Sequence, residues 1–400
     1  MIPELDLSQD GQMLRDSARS FADNVVAPVA QENWESGKFP YEVMDKLREL
    51  GYMGILAAEE HGGAGVGTVS YAAVLEELAR VDITVALTLQ VHVLVTEIFE
   101  QFGSKEQKAE WLPKLTSGEI LASIAMTEPG AGSDLRSATT TAKLDGDEWV
   151  INGSKTFITN AGTEISDGCV VLARTGSSFS TFIVPRETPG FVAGRKLDKL
   201  GWRAMDTREL FFEDCRIPRE NMIGAEGKGL RVVLTGMDLG RIAFGICSTG
   251  LAQGCLDHAL NYANERIQFK RPLSSFQAIQ FKLADMATKV ATARSLSFDA
   301  ARRRDAGLPS DVAASMAKLY ASRVCVEAAD EAFQIYGGYG FTLDYPIARF
   351  YADAKMMEIG EGTNEIQRIY IARSMGCAPE PRVAEERDPA TSEKAPAAAA

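Results

Sequence analysis

Glu361 stands between Gly360 and Gly362 in the stretch EIGEGTNEIQ, residues 358–367. Glycine relaxes the backbone and lets another molecule approach the main chain closely, at a cost of roughly 0.5–1 kcal/mol inside a helix. A single carboxylate between two such residues reads in two ways: an acidic group presented to a bound molecule, or a helix C-cap followed by a new helix carrying Glu in its first turn. Four other stretches hold residue types suited to binding. AMTEPGAGSDLRS (125–137) leaves the N–H groups around Pro129, Gly130, Ala131 and Gly132 unshielded and adds the Ser133 hydroxyl. Such a loop can cradle a phosphate or pyrophosphate, or serve as an ordinary tight connection. In KTFITNAG (155–162) the strand period of two puts Phe157 and Thr159 on one face, as a stacking surface with a hydroxyl or as core packing. ERIQFKRPLSSFQ (265–277) gathers Arg266, Lys270 and Arg271 beside Phe269, suited to a phosphate or to a solvated helix end. QIYGGYGF (334–341) breaks a helix with glycines and permits close backbone approach.

The elements that must hold these groups fall into three regions. From about residue 8 to 120 the apolar period is helical, with Leu14, Phe21, Val25 and Val29 on one face. ITVALTLQVHVLVTEIFEQFG is apolar nearly all round, which predicts a buried helix. Short β-rich runs follow from about 121 to 225. Asp145-Gly146 and Asn152-Gly153 in LDGDEWVING predict hairpin turns within a small antiparallel sheet or barrel. Long helical stretches return from about 228 to 376, and small residues on their stripes (Ala313, Ala314, Ala317, Ala321) allow close helix approach. The expected organisation is residues 1–120 helical, 121–227 β, 228–378 a helical bundle, and 379–400 a disordered tail of Pro, Ala and charged residues.

Bulk properties exclude several function classes. The net charge of −13 argues against a nucleic-acid surface. Three scattered histidines with no HExxH argue against a metal site and a histidine-based triad. Six cysteines without a CxxC read as free thiols in a reducing compartment. The acidic start without a hydrophobic signal core, and the absence of a run of about 18 apolar residues, predict a cytoplasmic protein with no membrane insertion.

Taken together, MTEPGAGSD, GSKTFITNAG, ERIQFKRPLSSFQAIQFKLADM, QIYGGYGF and IGEGTNEIQR resemble the motifs of the acyl-CoA dehydrogenase family, in the family's order and across residues 5–377. The resemblance implies a mainly α fold with a middle β domain: an N-terminal helical domain, a small antiparallel β-barrel or sheet, and a C-terminal four-helix bundle. It also implies FAD at a subunit interface in a homotetramer built as a dimer of dimers.

Residue roles follow from the same resemblance. Ile124, Ala125, Met126, Thr127 and Ser133 would meet the flavin and its pyrophosphate, and Ser133 the CoA part of the substrate as well. Phe157 would lie against the isoalloxazine where many members have tryptophan, with Ile158 and Thr159 beside it and Thr159 at the N5 region. Arg266, Phe269 and Gln277, with Gln334, Ile335, Tyr336, Gly337 and Gly338, would bind the ADP half of a neighbouring subunit's FAD. Thr363, Asn364 and Glu365 would contact FAD, while Asp238, Arg241 and Gly362 would contact substrate.

Glu361 matches the family's base. It would take the α-proton of an acyl-CoA as hydride leaves the β-carbon for flavin N5, and its N–H with a flavin ribityl hydroxyl would hold the thioester oxygen. Some relatives carry the base at the position of Gly240, which cannot ionise. Gly360 stands where relatives are often bulky. The expected reaction is dehydrogenation of a short-, medium- or branched-chain acyl-CoA to the trans-2-enoyl-CoA, with electrons passed to an electron-transferring flavoprotein. Oxidase-type or specialised-metabolism chemistry on the same fold, and a silent flavin-binding scaffold, are the alternatives.

Overall fold

A computed structural model describes residues 7–378; the expected disordered tail at 379–400 lies outside the described residues. Six helices come first: α1 (Gln9–Phe21), α2 (Ala27–Ser36), α3 (Tyr41–Glu49), α4 (Thr68–Val81), α5 (Ile83–Phe102) and α6 (Lys105–Thr116). Asp82 separates α4 from α5, and its carboxylate caps α5 by accepting from the Thr84 N–H at 2.8 Å. Ser104 and Gln107 form a reciprocal capping box that starts α6. By length and composition α5 could cross a membrane, but 83% of its apolar window is buried inside the protein. Its all-round apolarity is that of a core helix.

Eight strands follow: β1 (Leu121–Ala125), β2 (Thr141–Asp145), β3 (Glu148–Thr159), β4 (Ser166–Thr175), β5 (Ser178–Val184), β6 (Phe191–Lys196), β7 (Thr207–Pro218) and β8 (Met222–Ile223). They form one sheet in the order β6-β7-β3-β2-β4-β5-β8, with β1 beside β4. Most neighbours are antiparallel, as expected, but β1 and β2 each pair with β4 in parallel. The Asp145-Gly146 signal does mark a hairpin, with Asp145 opposite Glu148 and Gly146 at φ 62°. Asn152-Gly153 is not a turn. It lies inside β3 at a register shift, because a side chain at Gly153 would stand 2.5 Å from the Thr140 hydroxyl.

The last region holds α7 (Gly229–Glu265), α8 (Gln277–Asp305), α9 (Asp311–Tyr336), α10 (Ile347–Ala354) and α11 (Asn364–Ser374). The first three pack on one another, α11 lies on α9, and α4 and α5 pack against α7. One continuous core runs from Leu75 and Leu89 through Phe244 and Cys255 to Val324 and Ile335. The sheet has its own core around Trp149, Phe182, Leu210 and Phe212. Between α7 and α8 the expected helix end is instead a small hairpin, β9 (Ile267–Gln268) and β10 (Arg271–Pro272). Its two turn residues, Phe269 and Lys270, both have positive φ (49° and 66°), the backbone of a two-residue hairpin turn.

Candidate active site

Glu361 lies neither in a helix cap nor in a first turn. It stands in the link between a short 3₁₀ turn (Lys355–Glu358) and α11, at φ 56°, a conformation that a non-glycine residue rarely adopts. Each neighbouring glycine has its own reason. Gly362 has φ 83°, and a side chain on Gly360 would come 2.8 Å from the Phe244 ring. The link is held from below by Gln367, whose Nε2 donates to the Glu361 carbonyl at 3.3 Å and the Gly362 carbonyl at 3.0 Å. Thr363 caps α11 by accepting from the Ile366 N–H at 3.3 Å.

The carboxylate points at α7. A Cβ built on Gly240 would stand 1.9 Å from Glu361 Oε1 and 3.0 Å from Leu94 of α5. Oε1 is shut off from solvent and has no hydrogen-bond partner among the described residues. Burial pushes the Glu361 carboxyl up to about 7, against the opposing pull of Arg241 and Lys318. The Glu361 N–H likewise donates to no acceptor among the described residues. An ionisable acid and a main-chain donor are thus both left uncommitted at one residue.

Arg241 is buried beside this site. Its Nη1 donates to Asp238 Oδ1 at 2.9 Å, its Nε lacks a partner, and its guanidinium lies 5.2 Å from the centre of the Tyr370 ring. Trp202 closes another wall, its ring edge 3.4 Å from where a Gly360 Cβ would be. Trp202 also has positive φ (52°), and its N–H donates to Asp353 Oδ1 at 2.6 Å. Trp34 donates to the same oxygen at 3.0 Å, so one carboxylate of α10 joins residues from all three regions beside the Glu361 turn. Met205, whose N–H donates to the Trp202 carbonyl at 3.0 Å, carries the contact on to the Thr159 hydroxyl at 3.7 Å.

The β-domain stretches are placed as follows. Phe157 is 63% exposed and has φ 61°, at the register shift between Lys155 and Ile158. It shares the open side of β3 with the partly buried Thr159, whereas Ile158 and Ala125 turn into the core, so only their main chain could meet a ligand. Ile124, Met126 and Thr127 are partly buried, and the Thr127 carbonyl accepts from the Thr156 N–H at 2.9 Å. The loop beyond is open: Ser133 is exposed, and nothing lies within 4 Å of a Cβ built at Gly130 or Gly132. Glu128 anchors this loop from within, its carboxylate accepting from the Thr139 and Thr140 N–H groups.

A separate, open cleft of about 460 Å³ brings together Arg266, Ile335, Tyr336, Gly337 and Gly338 with Tyr262 and Tyr339. Phe269 is 88% exposed at the hairpin tip and packs edge-on against Phe276, next to the exposed Gln277; Gln334 is exposed on the neighbouring helix end. Asn364 is buried, its side chain accepting from Lys318 and Ser322, and Glu365 is paired with Arg368 at 3.0 Å on the surface. Among the described residues no cluster of His, Cys, Asp or Glu could hold a metal.

Sequence reasoning missed Lys318, Gln367, Trp202 and Asp353. Lys318 alone left a signal: a single cation on the small-residue stripe of α9.

Three family models match the chain: Acyl-CoA dehydrogenase N-terminal domain over residues 8–119, middle domain over 123–215 and C-terminal domain over 227–376. A Bacillus subtilis protein named acyl-CoA dehydrogenase is 42% identical over 373 residues, covering 92% of this chain and 98% of that one. The solved butyryl-CoA dehydrogenase of Megasphaera elsdenii aligns with a TM-score of 0.91 at 38% identity, over 94% of this chain and 100% of that chain. A chain in a structure titled for the electron transferring flavoprotein of Acidaminococcus fermentans aligns at 0.90 and 41% identity, over 93% of this chain and 99% of that one.

Proposed function

The chain belongs to the acyl-CoA dehydrogenase family of FAD-dependent oxidoreductases acting on CH–CH bonds, and from that membership we propose that it oxidises a saturated short-chain acyl-CoA to the trans-2-enoyl-CoA with Glu361 as the base. The observation that carries this reading is the solvent-shielded Oε1 of Glu361, without a hydrogen-bond partner among the described residues and set against Gly240. A carboxylate that accepts nothing from the described residues keeps its lone pairs for a substrate proton. With its pKa drawn up to about 7, it is basic enough to take a weakly acidic α-proton and still partly ionised at neutral pH. Its own N–H, without an acceptor among the described residues, would hold the thioester oxygen as negative charge gathers there. Arg241, Trp202 and Phe244 exclude water from the proton's path. FAD, when bound, accepts the β-hydrogen with its electron pair.

The residues present fit that group. Phe157, held outward by a strained backbone, offers a stacking face, and Thr159 a hydroxyl. The open loop from Thr127 to Ser133 offers main-chain donors for a pyrophosphate, and the cleft at Arg266 and Gly337 offers a second polar and aromatic cradle. The exposed Phe269 beside that cleft supports a neighbouring subunit there, as a homotetramer requires. An electron-transferring flavoprotein as acceptor is supported by the A. fermentans relative's structural title.

The test is anaerobic addition of butyryl-, isobutyryl- and octanoyl-CoA to the purified flavoprotein. Bleaching of the flavin with butyryl-CoA as the fastest reductant is expected. No bleaching with any of the three would sink the reading, and faster reduction by octanoyl-CoA would remove the short-chain assignment.

A further inference from the structure

One buried cation remains unused by this chemistry. Lys318 of α9 is 0% exposed, and its Nζ donates to the Glu358 carbonyl at 3.2 Å and to Asn364 Oδ1 at 3.0 Å. Those two acceptors bracket the link whose tip is Glu361. A single ammonium therefore closes the loop across its base, and Ser322 braces the same Asn364 oxygen at 3.0 Å. A buried ammonium is costly unless it has a task that an apolar side chain cannot perform.

We propose that Lys318 is a positioning residue for the reaction: it clamps residues 358 and 364 and holds a positive charge near the Glu361 carboxylate at neutral pH. The inference rests on Glu361 being the base. The other charged groups facing this carboxylate leave the role to Lys318. Arg241 of α7 also pulls on Glu361 but is answered by Asp238 at 2.9 Å. Tyr71 of α4 and Cys247 of α7 face the site as neutral groups, their pKa values pushed up chiefly by burial. Glu358 is engaged by Lys355 and Arg323, Glu365 by Arg368, and Asp311 of α9 by the Tyr370 hydroxyl. Lys318 differs in that both its acceptors are uncharged oxygens, so its charge is left for Glu361. The influence runs both ways: burial draws the Lys318 ammonium down to about 8, and Glu361 is the foremost group opposing that fall. It remains mostly protonated at neutral pH.

The test measures single-turnover flavin reduction by butyryl-CoA against pH in holoenzyme, together with an infrared titration of the carboxyl band that Glu361→Gln removes. Lys318→Met should raise both midpoints by about one pH unit, cutting the rate at pH 6 about tenfold while sparing the alkaline plateau. Lys318→Arg should keep the wild-type midpoints. Asn364→Asp, nearly isosteric, sets a carboxylate against the ammonium and should raise them in a protein that keeps its lysine. Midpoints unmoved in Lys318→Met overturn the proposal even if flavin content or stability falls; should that variant not fold, unmoved midpoints in Asn364→Asp do so. Wild-type reduction with no acidic limb, or reduction surviving in Glu361→Gln, would instead overturn the assignment of the base.

Discussion

Two buried glutamates show what separates a strut from a reactive group. Glu128, in the loop after β1, accepts from the Thr139 N–H at 2.6 Å, the Thr139 hydroxyl at 2.9 Å, the Thr140 N–H at 3.0 Å and Lys155 Nζ at 2.9 Å. Burial pushes its carboxyl up, but the hydrogen bonds from Thr139, Thr140 and Lys155 outweigh it and hold the group at about 2. Glu361 has the same side chain, with burial working in the same direction, yet ends at about 7 because Oε1 has no donor and the cations near it act only through space. Full satisfaction makes Glu128 a permanent anion that fastens the open 127–133 loop to β3, since Lys155 also donates to the Met126 carbonyl at 3.0 Å. Lack of hydrogen-bond partners leaves burial to set the Glu361 carboxyl near neutrality. Burial pushes both carboxyls in the same direction; the hydrogen-bond inventory differs.

The largest contrast lies in turnover. Glu361→Gln should slow flavin reduction by roughly 10³-fold or more while FAD stays bound, since it removes the proposed base and little packing; stopped-flow absorbance in the flavin band reads this directly. Next comes the strut. Glu128→Gln strands the Lys155 ammonium, which is fully buried, and should cost about 3–5 kcal/mol in denaturant unfolding. A Glu128→Met/Lys155→Met double variant should lose less than Glu128→Gln, and equal losses would show that the pair is not what matters.

A smaller effect has the opposite sign. The folded-state pKa of Glu361 is raised from 4.5 to about 7, so the native protein holds a proton that the unfolded chain releases between those values. Its full contribution is therefore present below about pH 4.5 and is lost as pH rises to 7. Glu361→Gln should thus be more stable than wild type at pH 8, by on the order of 2–3 kcal/mol, and by almost nothing at pH 4. Melting curves of both proteins at the two pH values decide it; a gain that is equal at both would point to packing rather than ionisation. Smallest is Gly240→Ala, which should slow reduction about tenfold by displacing the carboxylate, because its methyl would stand 1.9 Å from Oε1. A variant as fast as wild type would mean that the turn relaxes freely.

Much of this was legible in the chain. The switch from helical to alternating period and back marked the three regions, and Asp145-Gly146 marked a real hairpin. The glycines on either side of Glu361 answer to a positive φ and to the Phe244 ring, not to a helix end. Phe157 and Thr159 do share the open side of β3, though the period of two is interrupted just before them, where Lys155 and Thr156 are both buried. The failures have two origins. Asn152-Gly153 looks like a turn but is a bulge because Thr140 packs on it, and Phe269-Lys270 makes a hairpin turn with neither glycine nor asparagine. In each case a neighbour distant in sequence, or a backbone shape without its usual residue, overrode the local signal.

Residue order alone therefore specified the helices, the sheet region and the identity of the candidate acid, since periodicity, turn chemistry and motifs are local properties. It said nothing of that acid's charge. Protonation at Glu361 is a sum over Tyr71, Leu94, Gly240, Arg241, Phe244 and Lys318, drawn from four helices and brought together only when α4, α5, α7 and α9 pack. Desolvation and through-space charge depend on distances in the folded molecule, so packing, not spacing along the chain, drew the carboxyl of an ordinary glutamate up to about 7.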